Sequence, residues 1–347
     1  MGLKLEYLPY SKKVLDENIS LAMQGKIPLL DLELTTACYH GACIYCDSYT
    51  SQPNSNLLNM ETYRTLILDA LPYGLKWIFI CGLGEPSDYE HFLEFVGFCS
   101  SVGVNTSFFT HTMNFEDRDL DFLRRNNANM IMKCDSFRPE VFDFLPGKPE
   151  SSRKILNNLE YLLSSGFVLQ EGASNLALSI VVTKRNLDEV PEIVEFCKAN
   201  NIFPSVGQLE FAGKAKTIYN DLVVADDDLI SLKATLASIL GYEYTKPLCP
   251  ANFSGIHLDA YGNCLVDYDT GLNCGWFLLK DTNYRTIGNI HDSDISSLWT
   301  LVKECRDGKY DQTVSALESK ADFIIGGCGG CISKVCAKLK VVAGGGT

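Results

Sequence analysis

Short apolar runs recur along the first two thirds of the chain, and each is followed by a longer amphipathic stretch. Runs at 29–34, 76–80, 104–109, 130–134, 176–182 and 205–211 carry branched and aromatic residues over strand-like lengths, which predicts six strands. Between them, apolar residues at three- and four-residue spacing predict helices near 60–71, 88–101, 117–126, 151–165 and 188–200. Gly74, Gly103 and Gly166 close three of these, and Asp188 is placed to cap the fifth. A leading helix is expected over 11–24, stopped by Gly25 and Pro28. Strand–helix alternation of this kind implies a parallel sheet with helices outside it. An open doubly wound sheet and a barrel satisfy the pattern equally. In both, ligands bind at the C-terminal ends of the strands.

The alternation stops after a helical stretch near 226–240. Ile256 to Ala260, the turn Tyr261-Gly262, and Asn263 to Asp267 read as a β-hairpin. A helix near 293–306 and a glycine- and cysteine-rich segment follow. The expected division is therefore a leading helix over 1–25, a β/α domain over 26–241, a smaller domain over 242–340 and a tail over 341–347.

Composition narrows the function classes. With 347 residues, 46% hydrophobic and 21% charged, the chain can bury a large core. A net charge of −13 argues against a surface that grips a nucleic-acid backbone. No apolar run reaches membrane-spanning length, and residues 1–20 lack a signal-peptide core, so a cytoplasmic protein with no membrane partner is expected. Fourteen cysteines in such a chain point to metal or cluster ligation before disulfides.

Three of them, Cys38, Cys43 and Cys46, lie on one loop just past the first strand. A fully ligated [4Fe–4S] cluster takes four thiolates, so three would leave one iron open to a further ligand. A structural zinc site completed by His40 or a distant cysteine is the alternative. One β–α unit later, the second strand runs into Cys81-Gly82-Leu83-Gly84-Glu85-Pro86, where glycines admit a close backbone approach and a carboxylate can hold an amino group. Together the two motifs resemble the radical S-adenosylmethionine superfamily, with its three-cysteine loop after the first barrel strand, an aromatic before the last cysteine (Tyr45) and a GGEP-like segment. This loop has four residues in its first gap where the superfamily has three, and Leu83 is inserted among the glycines.

The resemblance implies a partial (β/α)6 TIM-like barrel followed by a small hairpin-plus-helix iron–sulfur domain. It implies S-adenosylmethionine and a [4Fe–4S] cluster with an open iron site as cofactors, with an external electron donor of flavodoxin or ferredoxin type. Cofactor contacts are expected from Tyr45, Gly82, Gly84, Glu85 and Pro86, and on the adenosine side from Thr183 and Asn186. Lys133 and Asp135, on one face at the end of the fourth strand, are expected in the barrel lumen near cofactor or substrate, with Cys134 turned away. His111 stands where relatives show T-N-G, its role open. The C-terminal cysteines resemble a SPASM or shorter twitch extension. Cys249, Cys264, Cys328 and Cys331, with Cys336 as substitute, would ligate one auxiliary [4Fe–4S] cluster. The expected reaction is hydrogen abstraction from a polar small-molecule substrate of sugar or aminocyclitol type, leading to oxidation or epimerisation. The alternatives are a peptide maturase and, more remotely, a non-catalytic zinc scaffold.

Overall fold

The computed structural model describes residues 17–39, 43–46, 56–145, 150–169, 174–209, 214–241, 255–267 and 284–307, apart from positions 19, 23, 81 and 83. Six strands follow the predicted order: β1 (Leu29–Leu32), β2 (Trp77–Ile80), β3 (Asn105–Thr110), β4 (Asn129–Lys133), β5 (Leu176–Val182) and β6 (Phe203–Gln208). Three more, β7 (Gly255–Leu258), β8 (Asn263–Asp267) and β9 (Tyr284–Asn289), complete one sheet of order β6-β5-β4-β3-β2-β1-β7-β8-β9. The strands from β6 to β7 pair in parallel and the hairpin pairs antiparallel. The sheet is not closed: β6 and β9 are its edges. This is the partial, TIM-like barrel, and the hairpin joins it directly through β7 on the free side of β1.

The helices between and after the strands are α1 (Met60–Ala70), α2 (Phe92–Ser101), α3 (Asp117–Arg125), α4 (Pro139–Phe144), α5 (Ser151–Ser164), α6 (Val190–Ala199), α7 (Ala215–Leu222), α8 (Asp226–Leu240) and α9 (Ile295–Asp307). Their apolar stripes pack on the outer strand face. Leu30, Leu32, Ile78, Ile80, Phe108, Met130, Met132, Leu178 and Ile180 share one core with Tyr63, Phe95, Leu123, Leu159 and Ile193. The opposite strand face makes a second, smaller cluster: Leu29, Trp77, Phe79, Ile131, Ala177 and Phe203, with Phe109 against them. Period-two alternation thus separates a helix-covered outside from a concave lumen.

Several boundaries differ from expectation, each for a local reason. The sixth strand starts at Phe203 instead of 205 and includes Pro204, which an edge strand tolerates because its missing N–H need not pair. The second helix starts at Phe92, because Pro86–Asp88 forms a 3-10 turn capped by the Glu85 side chain. Asp188 does not cap α6; its carboxylate takes both terminal nitrogens of Arg138, at 3.1 and 2.9 Å. The glycines at 74, 103 and 166 do close their helices, with φ of 90, 76 and 76°. Helices α4 and α7 and strand β9 were not anticipated. No helix among the described residues is long and apolar enough to cross a membrane.

Candidate functional site

The cysteine loop sits over the C-terminal ends of the strands and is pinned there from three sides. The Tyr39 N–H donates to Asp88 Oδ2 at 2.7 Å, the Ile44 N–H to the Leu145 carbonyl at 3.1 Å, and the Lys214 N–H to the Cys46 carbonyl at 2.9 Å. Ile44 and Tyr45 pack against an apolar cluster of Leu145, Leu209, Ala215 and Leu222. The otherwise unanticipated α4 and α7 therefore have a function in the fold: they clamp this loop. Cys38, Cys43 and Cys46 are all half-buried, and none of them is in a disulfide.

Tyr45 is tied to the end of β4. Its hydroxyl donates to Asp135 Oδ2, and burial together with the Asp135 carboxylate holds the phenol well above its ordinary pKa, so it stays a donor. Asp135 is buried and also accepts from Lys133 Nζ at 2.8 Å and the Val181 N–H at 2.7 Å. The Lys133 ammonium lies 4.8 Å from the centre of the Tyr45 ring. Lys133 shares the face of Ile131 and keeps partial exposure, whereas Cys134 is buried in the outer core. Lys133 and Asp135 share one face of the strand end, and Asp135 is engaged in locking Tyr45, and with it the cysteine loop, to β4 and β5. Thr183 and Asn186 brace the same corner. Asn186 Oδ1 accepts from the Thr183 N–H and hydroxyl at 2.7 and 2.9 Å, and its amide donates to the Asp135 and Val181 carbonyls at 2.7 and 3.0 Å. Both side chains are fully buried, which leaves backbone atoms for any contact with a ligand.

On the other flank, the glycine segment lies along the stem of the cysteine loop. A Cβ on Gly84 would fall 2.4 Å from the Thr35 carbonyl oxygen and 2.6 Å from that of Ala37, and the Glu85 N–H donates to the Ala37 carbonyl at 2.8 Å. Gly82, at φ 144°, leaves room for the Glu33 side chain, whose Cγ would stand 2.3 Å from an added Cβ. Pro86 is buried at the start of the 3-10 turn. Glu85 is buried and accepts from four neutral donors: the Thr110 hydroxyl at 2.5 Å, the Ser87 hydroxyl at 2.7 Å, the Ser87 N–H at 3.3 Å and the His111 N–H at 3.0 Å.

Below this rim lies a polar group the sequence reading missed. Asp31 and Glu33 of the β1 segment and His257 of β7 are all buried on the lumen face, with His257 Nδ1 3.2 Å from Asp31 Oδ2 and Nε2 3.8 Å from Glu33 Oε1. Burial opposes charge on the imidazole, but the charge and hydrogen bond of Asp31, then Glu33, outweigh it and raise its pKa. Burial raises Glu33 to about 7, against the attraction of His257. The signal available in sequence was a polar residue at alternate positions of the run Leu29-Leu30-Asp31-Leu32-Glu33.

Three thiols on one loop over the strand ends are a donor set that suits an iron–sulfur cluster with one iron left open. Burial pushes the Cys43 thiol up to about 12, with Lys133 working against that push. The chain also superposes on solved structures. SuiB of Streptococcus suis bound to S-adenosylmethionine superposes with a TM-score of 0.63 at 15% identity, over 84% of this chain and 71% of that one. The protein anSMEcpe with bound AdoMet superposes with a TM-score of 0.61 at 14% identity, over 91% of this chain and 98% of that one. The chain shares the fold of these proteins.

Curated relatives lie in the same direction. The mycofactocin maturase MftC of Mycolicibacterium smegmatis is 23% identical over 318 residues, 86% of this chain and 77% of that protein. The sporulation killing factor maturation protein SkfB of Bacillus subtilis is 21% identical over 229 residues, 65% of this chain. The match spans about half, 53%, of SkfB's own length. No family model matches. Of the C-terminal cysteines, Cys249, Cys328, Cys331 and Cys336 lie outside the described residues. Cys264 is buried on β8, its thiol pushed up to about 12 by burial and by the neighbouring Cys305 of α9, a cysteine the sequence reading passed over.

Proposed function

We propose that this chain is a radical S-adenosylmethionine peptide maturase. The observation that carries the reading is that its sequence relatives include maturases, MftC along 86% of this chain and SkfB along 65%. The small-molecule reading drawn from the sequence gives way on that ground. A precursor peptide and an external one-electron donor are the partners that follow.

In this reading Cys38, Cys43 and Cys46 hold a [4Fe–4S] cluster and the Gly82–Pro86 segment receives S-adenosylmethionine beside it. When bound, that pair supplies reductive cleavage of the sulfonium and a 5′-deoxyadenosyl radical, the hard chemistry of the reaction. The chain's own residues hold the geometry. Asp135 and Tyr45 fix the loop, Gly84 lets the glycine segment approach it, and the apolar lumen residues Phe79 and Phe109 keep water from the reacting face. Lys133, half-free over Tyr45, is the side chain offered to a substrate carbonyl or carboxylate. The SPASM or twitch extension, with an auxiliary cluster on Cys249, Cys264, Cys328 and Cys331 or Cys336, and the domain division at 241–242 belong to the same proposal.

The test is anaerobic reconstitution followed by assay for 5′-deoxyadenosine. Replacing Cys38, Cys43 and Cys46 with Ala should abolish its formation while iron at the C-terminal cysteines is retained. With deuterated precursor peptide, label should enter 5′-deoxyadenosine. Label transfer from a sugar or aminocyclitol, with none from any peptide, would return the substrate to the small-molecule class.

A further inference from the structure

Glu33 lies directly against the glycine segment and is poorly matched to its surroundings. A Cβ added to Gly82 would fall 2.3 Å from Glu33 Cγ and 2.6 Å from Oε1, so a glycine is what lets this carboxyl pack there. Glu33 is only 3% exposed, and its Oε2 has no hydrogen-bond partner. The groups around it come from three elements. From β1, Asp31 repels it. From β7 and the turn after it, His257 Nε2 stands 3.8 Å from Oε1, Asp259 repels, and the Ala260 N–H attracts. From α1, the Tyr63 hydroxyl donates to the Glu33 carbonyl at 2.9 Å, and burial keeps that phenol protonated. His257 is itself paired with Asp31 at 3.2 Å, and Asp259 accepts from the Tyr261 and Asn263 N–H groups at 2.9 and 2.8 Å. Three carboxyl groups therefore share one imidazole in a dry lumen, and a proton on Glu33 supplies the missing positive charge.

We propose that Glu33 is the buried counter-charge for S-adenosylmethionine, protonated in the free enzyme and ionised when the cationic cofactor occupies the neighbouring glycine segment. The inference rests on the cofactor reading above. The cofactor's sulfonium and ammonium outweigh its one carboxylate, so binding brings net positive charge to that segment. Two nearby carboxyl groups could answer it. Glu85 already has both oxygens engaged, by the hydroxyls of Ser87 and Thr110 and the His111 N–H. Glu33 has an oxygen without a donor and is already out of water, so a cation beside it adds attraction with little further desolvation. Burial lifts its pKa to about 7, which makes the proton exchangeable near neutral pH. The proton passes to the solvent, and by linkage a ligand that releases a proton binds more tightly as pH rises.

The full chain is reconstituted anaerobically, and S-adenosylmethionine binding is followed by titration calorimetry without reductant, in buffers of different ionisation enthalpy. If the bound cofactor favours the ionised carboxyl about tenfold, wild type should release about half a proton per cofactor near pH 6.5. On the same basis Kd should tighten about fivefold from about pH 6 to pH 8. Glu33→Gln should still bind, with the release lost and Kd flat near the low-pH value of wild type. S-adenosylhomocysteine, which lacks the sulfonium charge, should draw out less of the proton from wild type. Binding without proton exchange in wild type overturns the inference, and so does equal release from Glu33→Gln. If that variant fails to fold, infrared difference spectra of wild type decide. Adding S-adenosylmethionine should abolish a carbonyl band of a protonated carboxyl group, and no such loss overturns the inference. Wild type that binds no S-adenosylmethionine at all removes the cofactor reading itself, and the inference with it.

Discussion

Glu85 and Glu33 are both buried carboxylates beside the cysteine loop, yet the fold treats them in opposite ways. Glu85, on the rim, is surrounded by neutral donors from Ser87, Thr110 and His111. Glu33, in the lumen, has charged neighbours: His257 attracts it while Asp31 and Asp259 repel it. Among the described residues its Oε2 has no hydrogen-bond partner. A carboxylate solvated by fixed dipoles keeps its place as a structural cap. One that faces other charges across a dry lumen becomes a proton-binding group whose state depends on pH. Burial alone says nothing about which of these a carboxylate will be; the count of neutral donors does.

The sharpest way to break the comparison is to remove each carboxylate. Glu85→Ala strands the hydroxyls of Ser87 and Thr110 and two backbone N–H groups, and should cost about 4 kcal/mol, at roughly 1 kcal/mol or more per orphaned donor. Urea denaturation measures it, and a loss under 1 kcal/mol would mean the donors find water instead.

Glu33 should instead reveal itself through pH. Its folded pKa of about 7 lies above the ordinary 4.5, so its stabilising contribution is complete below pH 4.5 and is lost as pH rises through 7. The raised pKa of His257 acts in the same direction, its contribution present below 6.5 and lost above its folded value. The shift of Glu33, 7 minus 4.5, corresponds to about 3 kcal/mol. Stability of wild type minus that of Glu33→Gln should therefore fall by about 3 kcal/mol between pH 4.5 and pH 8. Parallel curves would show that Glu33 is not the group that titrates.

A smaller effect tests the link between the two regions. Gly82→Ala adds a Cβ 2.3 Å from Glu33 Cγ and should destabilise by about 2 kcal/mol, from overpacking and from its φ of 144°. In a Glu33→Ala background the steric part should disappear, so the two losses add to less than their sum. Strict additivity would mean that backbone strain alone is responsible. Smallest is Thr110→Val, which removes one of Glu85's donors and should cost about 1 kcal/mol with no change in the pH profile.

Much of this arrangement could be read before any coordinates. The strand runs at 29, 76, 104, 130 and 176 were placed within a residue or two at their starts, because each is a short apolar run between helix caps and glycines. That Lys133 and Asp135 share a face and that Cys134 is turned from it followed from alternation alone. The misses have physical causes too. Helix α4 spans only Pro139–Phe144, less than the window in which periodicity becomes visible, and α7 is hardly longer at Ala215–Leu222. Pro204 reads as a strand breaker until the strand is known to be an edge.

What the amino-acid order determined by itself is local: which stretches are strands or helices, and that three thiols and a glycine-rich carboxylate segment occur one β–α unit apart. Spacing along a chain is enough for that, since the periodicities and the loop ligands involve near neighbours. What tertiary structure decided is which polar groups meet. Asp31 and His257 are 226 positions apart and Tyr45 and Asp135 are 90 apart, yet each pair is in hydrogen-bond contact. Those meetings depend on β7 pairing with β1 and on the cysteine loop folding over β4, and no local pattern encodes either. The donors that surround Glu85 and the roles of Glu33 and His111 were undetermined in sequence for the same reason: a carboxylate or an imidazole takes its chemistry from the donors and charges the fold brings within a few ångströms of it.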